Sequence, residues 1–132
     1  MIGRSAHTDA SARAGLHRGI VVVVDDDDDI RTTLEEFLED TGYLVLTSRD
    51  GAEALTRMRG ISGRAVAIVD LMMPNLDGWD LIAAMRADRN LSRIPVVVIS
   101  ARGHAPVRGA NVVMPKPLVP SQLLAILNDL CP

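Results

Sequence analysis

The chain reads as an α/β protein, a doubly wound parallel sheet with helices on both faces. Three observations predict this. Short, wholly apolar, β-branched runs such as Ile20–Val24 and Ala65–Val69 are the signature of strands buried on both faces. Segments of helical period alternate with them, which implies right-handed crossovers between parallel strands. Each apolar run also ends in a polar residue able to do chemistry, the usual arrangement at the carboxyl edge of such a sheet. At 132 residues the chain holds one domain with a real core and is too short for two.

Hydrophobic residues make up 48% but aromatics only 2%, so the core is built from Val, Leu, Ile, Met and Ala. A net charge of −3, with both signs scattered, gives no basic stripe and argues against a nucleic-acid-binding module. The lone cysteine, Cys131, has no internal partner, so a reducing cytoplasm is expected. No apolar run near the N-terminus is long enough for a bilayer, and residues 1–19 lack the core of a signal peptide. A soluble, cytoplasmic protein without membrane insertion is expected.

Residues 1–19 show no period and are read as a disordered tail, with the ordered domain over 20–131. The first strand, Ile20–Val24, runs into five aspartates, Asp25–Asp29. Of these, Asp27 is expected in the loop, and Asp28 or Asp29 as the cap of the next helix. From Ile30 the period turns helical, with Ile30, Leu34, Phe37, Leu38 and Thr41 on one face and Gly42 as the stop. Tyr43–Ser48 reads as a second strand, Asp50–Arg59 as a short helix, and Ala65–Val69 as the third strand, ending at Asp70. After the turn Met73–Gly78 a helix runs through Arg86, with Trp79, Ile82 and Met85 toward the core. Pro95–Ile99 is a fourth strand ending at Ser100, and Val112–Met114 a fifth ending beside Lys116. Ser121–Leu130 closes the chain as an amphipathic helix on Leu123, Leu124, Leu127 and Leu130.

Asp25, Asp26, Asp70, Ser100 and Lys116 thus share one sheet edge. Two carboxylates about 4 Å apart at an effective dielectric near 20 repel by roughly 4 kcal/mol. One must stay protonated, or a cation must sit between them. An oxygen-only ligand set suits magnesium, and a lysine and a hydroxyl beside it suit a phosphoryl group. Each residue alone has a plainer reading: aspartate runs form solvated loops, serine ends many strands, and most lysines are surface lysines. Trp79 and the Met72–Met73 pair read as packing, and His7, His17 and His104 lack metal-ligand spacing.

The segments VVVVDDDDDIR (21–31), VDLMMPNLDGWDLI (69–82), PVVVISA (95–101) and MPKPL (114–118) resemble the four signature blocks of response-regulator receiver domains. The resemblance covers about residues 20–130, essentially the whole ordered chain. It implies a flavodoxin-like (βα)5 fold with strand order 2-1-3-4-5. It also implies that Asp70 is the phosphorylation site, and that Asp25 and Asp26 hold Mg2+ (or Mn2+) with Asp70 and the main-chain carbonyl of Met72. Ser100 matches the switch hydroxyl and Lys116 the phosphoryl-contacting lysine, with a cis Lys116–Pro117 bond. The implied partner is a histidine kinase or histidine phosphotransfer protein in two-component signalling or a phosphorelay. The expected protein is a stand-alone, single-domain regulator, not an enzyme beyond self-catalysed phosphotransfer and hydrolysis. It is expected to be a monomer or weak dimer, with an unknown downstream target. Met72 and Arg102, bulky and near the site, suggest slow hydrolysis.

The chain departs from the family pattern in two places. Only fifteen residues separate Ser100 from Lys116, fewer than the usual receiver spacing. With the fifth strand removed, eleven (101–111) remain for the crossover, and Gly103, Pro106 and Gly109 confine any helix to about one turn. The fourth helix of the fold is therefore expected to be truncated or absent. Val113 stands where the family usually carries a switch aromatic. Both changes fall on the surface that often carries the family's output, so a remodelled output face is expected, with signalling through the face of the first helix or a domain that only relays or drains phosphate. In a plainer version the short loop lies over the sheet and the standard surface survives in part. Two other functions fit less well. A haloacid-dehalogenase-like Mg-dependent phosphatase would use Asp25-x-Asp27, but the residues that follow are acidic and no cap insertion is present. A degenerate receiver acting as a binding scaffold would not need the intact acidic, hydroxyl and lysine set.

Overall fold

The computed structural model describes residues 18–73, 76–101 and 105–131. The elements run β1 (Ile20–Val24), α1 (Asp28–Asp40), β2 (Leu44–Ser48), α2 (Gly51–Arg59), β3 (Ala65–Asp70), α3 (Gly78–Ala87), β4 (Val96–Ser100), β5 (Val112–Pro115) and α4 (Pro120–Leu130). The five strands form one parallel sheet in the order β2-β1-β3-β4-β5. This is the doubly wound, flavodoxin-like arrangement expected, with boundaries shifted by a residue or so.

Alternation along each strand divides the core into two layers. Val22, Val24, Ala67, Val69 and Val98 face one side and pack with Met58 of α2 and Leu81, Ile82 and Met85 of α3. Val21, Val23, Ile68, Val97 and Ile99 face the other and pack with Leu34 and Leu38 of α1 and Leu123 and Leu127 of α4. Every residue of β3 and β4 is buried, as central strands covered on both faces require. Each fully buried Val, Leu or Ile side chain contributes about 1.5–3 kcal/mol relative to exposure, so aliphatic residues alone can hold this core.

Several local expectations are corrected. Arg18 and Gly19, read above as part of the tail, pack against the domain. The Arg18 N–H donates to Gly42 O at 2.9 Å, its guanidinium reaches Thr41 O at 3.2 Å and Asn128 Oδ1, and it lies 5.2 Å from the Tyr43 ring centroid. Gly19 is buried against Cys131, where a Cβ would stand 2.5 Å from Sγ. The remainder of the expected tail, 1–17, lies outside the described residues, as do His7, His17, His104, Arg102 and the turn residues Pro74 and Asn75. The first helix is capped by Asp27, not by Asp28 or Asp29: its Oδ1 accepts the N–H groups of Asp29 and Ile30 at 2.9 and 3.1 Å. Tyr43 is buried just ahead of β2. Trp79 is 47% exposed instead of facing the core. Gly78 lies against the Asp70 and Leu71 backbone and sets the rotation of α3, so the inward stripe is Gly78, Leu81, Ile82 and Met85.

Between β4 and β5 the described residues hold a turn and no helix, as the short spacing predicts. Val107 and Ala110 pack onto the α2–α3 layer, so the crossover lies over the sheet. Arg86 of α3 fastens it there. Its Nε and Nη2 donate to Gly109 O at 2.9 and 2.7 Å, and its Nη1 to Ser92 O at 2.9 Å and Ile94 O at 2.8 Å. Gly109 adopts φ +87°, and a Cβ there would stand 2.7 Å from Ile82 Cγ2, so glycine is required on both counts. A guanidinium fork thus does the anchoring that a crossover helix would do by packing.

Replacing Arg86 by Ala removes the partner of three carbonyls, of which that of Ile94 is part-buried and those of Ser92 and Gly109 are exposed, a loss of roughly 1–2 kcal/mol. Urea unfolding of Arg86→Ala is expected to show a lowered midpoint at unchanged slope, with little recovery in Arg86→Lys, because an ammonium cannot span three acceptors. Full recovery by lysine would contradict the assignment.

Candidate functional site

The ladder of β1 with β3 fixes the site. Val24 pairs with Val69, so Asp25 and Asp70 are the next residues on adjacent strands. Neighbouring strands lie about 4.8 Å apart, which brings the two carboxyls together. Asp26 follows on the exposed side, and one oxygen from each of Asp25, Asp26 and Asp70 lies within 4.8 Å of the other two. On the other flank Asp70 pairs with Ile99, which places Ser100 one residue beyond it, and Ser100 pairs with Pro115, which places Lys116 next in line. Lys116 Nζ stands 3.5 Å from Asp70 Oδ1. The Lys116 N–H donates to Ser100 O at 2.9 Å, and the Lys116–Pro117 peptide is cis. All five residues predicted from the strand ends therefore stand along one edge.

Burial makes the cluster costly. Asp25 is 1% and Asp70 5% exposed. Asp25 Oδ1 accepts the Asp27 N–H at 2.9 Å, while its Oδ2 is buried without a protein partner. Desolvation is the largest influence on the Asp25 carboxyl and pushes it up from 3.8 to about 6; the Asp27 N–H opposes this, Asp70 adds to it, Lys116 lowers it and Asp26 raises it. Asp70 Oδ1 accepts the Met72 N–H at 3.3 Å, and the Met72 side chain is 61% exposed. Three converging carboxylates with an unpartnered buried oxygen fit a hard divalent cation, which takes oxygen ligands. Mg2+ would be held by Asp25, Asp26 and Asp70.

Local structure holds these groups in place. Gly78 lets the start of α3 approach the strand end, where a Cβ would stand 2.7 Å from both Asp70 O and Leu71 Cα. Asp77 caps α3 through the Asp80 N–H at 2.9 Å. Two residues escaped the sequence reading. Ser48, at the end of β2, has its Oγ buried without a partner, and its carbonyl accepts the Asp25 N–H at 3.1 Å. Arg31 reaches back from α1 to donate to Asp25 O at 2.8 Å and pairs with Asp28. Its spacing of three from Asp28 was the only available signal, and by itself that reads as an ordinary helix pair.

Residues 21–128 match the sequence profile of the response regulator receiver domain. Among curated relatives, Protein PetR of Rhodobacter capsulatus is 34% identical over 105 residues, covering 75% of this chain and 43% of its own length. The chain spans less than half the length of such relatives. Among solved structures, the chemotaxis protein CheY4 of Vibrio cholerae superposes with a TM-score of 0.77 at 29% identity, covering 85% of this chain and 98% of that one. A CheY-like receiver domain protein from Methanospirillum hungatei gives 0.75 at 28% identity, covering 87% and 95%.

The Asp25 carboxyl yields a pH prediction. Between pH 3.8 and about 6 the folded state binds more protons there than the unfolded state, so without metal stability falls as pH rises through that window. The loss is on the order of 2–3 kcal/mol. In EDTA at pH 7.5, Asp25→Asn is expected to melt higher than wild type, with the difference shrinking toward pH 4. A variant less stable at both pH values would contradict this.

Proposed function

The chain belongs to the response regulator receiver domain family, and from that membership we propose that it accepts a phosphoryl group on Asp70 from a phosphohistidine partner in two-component signalling. One observation carries the reading: Lys116 Nζ lies 3.5 Å from an Asp70 carboxylate that shares its strand edge with Asp25 and Asp26. That is the set phosphoryl transfer needs, a positioned oxygen nucleophile flanked by charge that neutralises the transferring group.

In this reading an Asp70 carboxylate oxygen attacks phosphorus, the new O–P bond forms as the P–N bond breaks, and the imidazole nitrogen leaves with the electron pair. Lys116, already on Asp70 Oδ1, follows the charge onto the phosphoryl oxygens. Mg2+, when bound, supplies further charge neutralisation at the same oxygens. The main-chain carbonyl of Met72 would add to the ligands of a bound cation, while its N–H holds Asp70 Oδ1. Ser100, buried one residue past Asp70 on the next strand, supplies the hydroxyl that turns to the phosphoryl group and shifts an existing inactive–active equilibrium.

The finer reading is a cytoplasmic phosphoacceptor with a remodelled output face, catalysing only its own phosphorylation and hydrolysis. Arg86 and Gly109 hold a crossover with no helix among its described residues, where the family often carries output contacts, and Val113 cannot act as an aromatic switch. The first-helix face supports an alternative route. An apolar groove of about 620 Å³ runs between α1 and α4, lined by Ile30, Leu34, Phe37, Leu118 and Leu123, with Lys116 at its edge. A partner seated there lies within reach of the phosphorylated edge.

Incubation with Mg2+ and acetyl phosphate, followed by intact mass measurement, tests the site. One phosphoryl group is expected on wild type and none on Asp70→Ala. Undiminished labelling of Asp70→Ala would overturn the assignment.

A further inference from the structure

Arg31 stands beside the acidic edge without touching any of its three carboxylates. It lies in the first turns of α1, its N–H donating to Asp27 O at 3.0 Å as the helix starts. Its side chain, only 13% exposed, turns back over the loop. Nη1 donates to the main-chain oxygen of Asp25 at 2.8 Å, and Nη2 pairs with the Asp28 carboxylate. One guanidinium thus spans both ends of the three-residue link between β1 and α1.

The five consecutive carboxylates Asp25–Asp29 run through that link into α1, and their mutual repulsion favours splaying. Four contacts resist it: the Asp27 N–H on Asp25 Oδ1, the Asp27 cap on α1, the Asp25 N–H on Ser48 O, and the Arg31 bridge. The first two are local, and the third ties Asp25 to β2 and not to the helix. Among the described residues, Arg31 alone gives a side-chain hydrogen bond from α1 to the Asp25 main chain. We propose that Arg31 is a positioning residue for the cation site, holding Asp25 and Asp26 in the geometry that converges with Asp70. This rests on the reading of the edge as a Mg2+ site.

Charge and position predict opposite signs here. Removing a cation from beside an acidic cluster, taken as charge alone, raises the negative potential and tightens Mg2+ binding. Removing a brace releases the loop and weakens it. A buried bond to the Asp25 backbone, shared with a carboxylate that is not a ligand, makes position the larger effect. Residues that orient metal ligands change affinity by about tenfold or more when removed.

The test uses the thermal midpoint of the unphosphorylated protein across a MgCl2 series, since a cation that binds only the folded state raises the midpoint according to its affinity. Wild type, Arg31→Ala, Arg31→Gln and Arg31→Lys are compared, with the EDTA midpoint recording any change in fold stability separately. The alanine and glutamine variants are expected to need about tenfold more Mg2+ for the same rise. Lysine is expected to recover only part, because one ammonium cannot span both acceptors. Acetyl phosphate labelling of the variants at saturating Mg2+ is expected to return to the wild-type rate. Equal or tighter Mg2+ binding in Arg31→Gln would overturn the proposal, as would full recovery by lysine. A wild-type midpoint indifferent to Mg2+ would overturn the cation reading itself, and the positioning role with it.

Discussion

Strands β1 and β3 are hydrogen-bonded neighbours whose ladder runs out at Val24 and Val69, and the next residue on each is an aspartate. The core on both faces of the sheet leaves these strands no freedom to slide, since a shift of one residue would exchange the side chains fitted to the two helical layers. Two carboxyls are therefore forced together at a buried edge, and a third, Asp26, closes on them. The surroundings answer that constraint. Lys116 arrives from β5 against Asp70, the Asp27 N–H is given to Asp25, and Gly78 brings the start of α3 close under the strand end. One Asp25 oxygen still has no partner, and its carboxyl is displaced toward pH 6 by burial. An edge held in this condition is primed to take up positive charge and a phosphoryl group.

The same sheet is economical on its far flank. β4 and β5 are joined by a short segment whose described residues form no helix, yet β5 keeps its register, so Lys116 reaches the site unchanged. Arg86 makes this possible by gathering Ser92, Ile94 and Gly109 carbonyls around one guanidinium, with Asn111 closing against both Val96 N and Val96 O. Chemistry and output thus separate physically. The acidic edge depends on strand register, which the crossover preserves, whereas the family's frequent output surface depends on a helix that the described residues lack.

The strands and the five edge residues were legible because each rests on a local pattern, a β-branched run closed by a polar residue, whereas the strand order came only from the resemblance to receiver domains. The caps and faces were less so. Five consecutive aspartates are chemically degenerate, and only the backbone turn at Asp27 decides which of them receives the free N–H groups of α1. Trp79 resembles a core residue at helical spacing, but Gly78 against Asp70 rotates α3 and turns the ring outward. Arg18, Arg31 and Arg86 were invisible for a common reason. Each acts on main-chain carbonyls brought near by tertiary structure, and a carbonyl leaves no mark in a sequence.

The central claim is that burial and register have built an edge for one cation and one phosphoryl group on Asp70. A crystal structure of the protein with Mg2+ and beryllofluoride, a tetrahedral phosphoryl mimic, tests it most directly. The account predicts the mimic on an Asp70 carboxylate oxygen, contacted by Lys116 and Ser100, with one Mg2+ held by Asp25, Asp26 and Asp70. A mimic bound elsewhere, or an Asp70 carboxylate left bare while Mg2+ occupies another site, would contradict it.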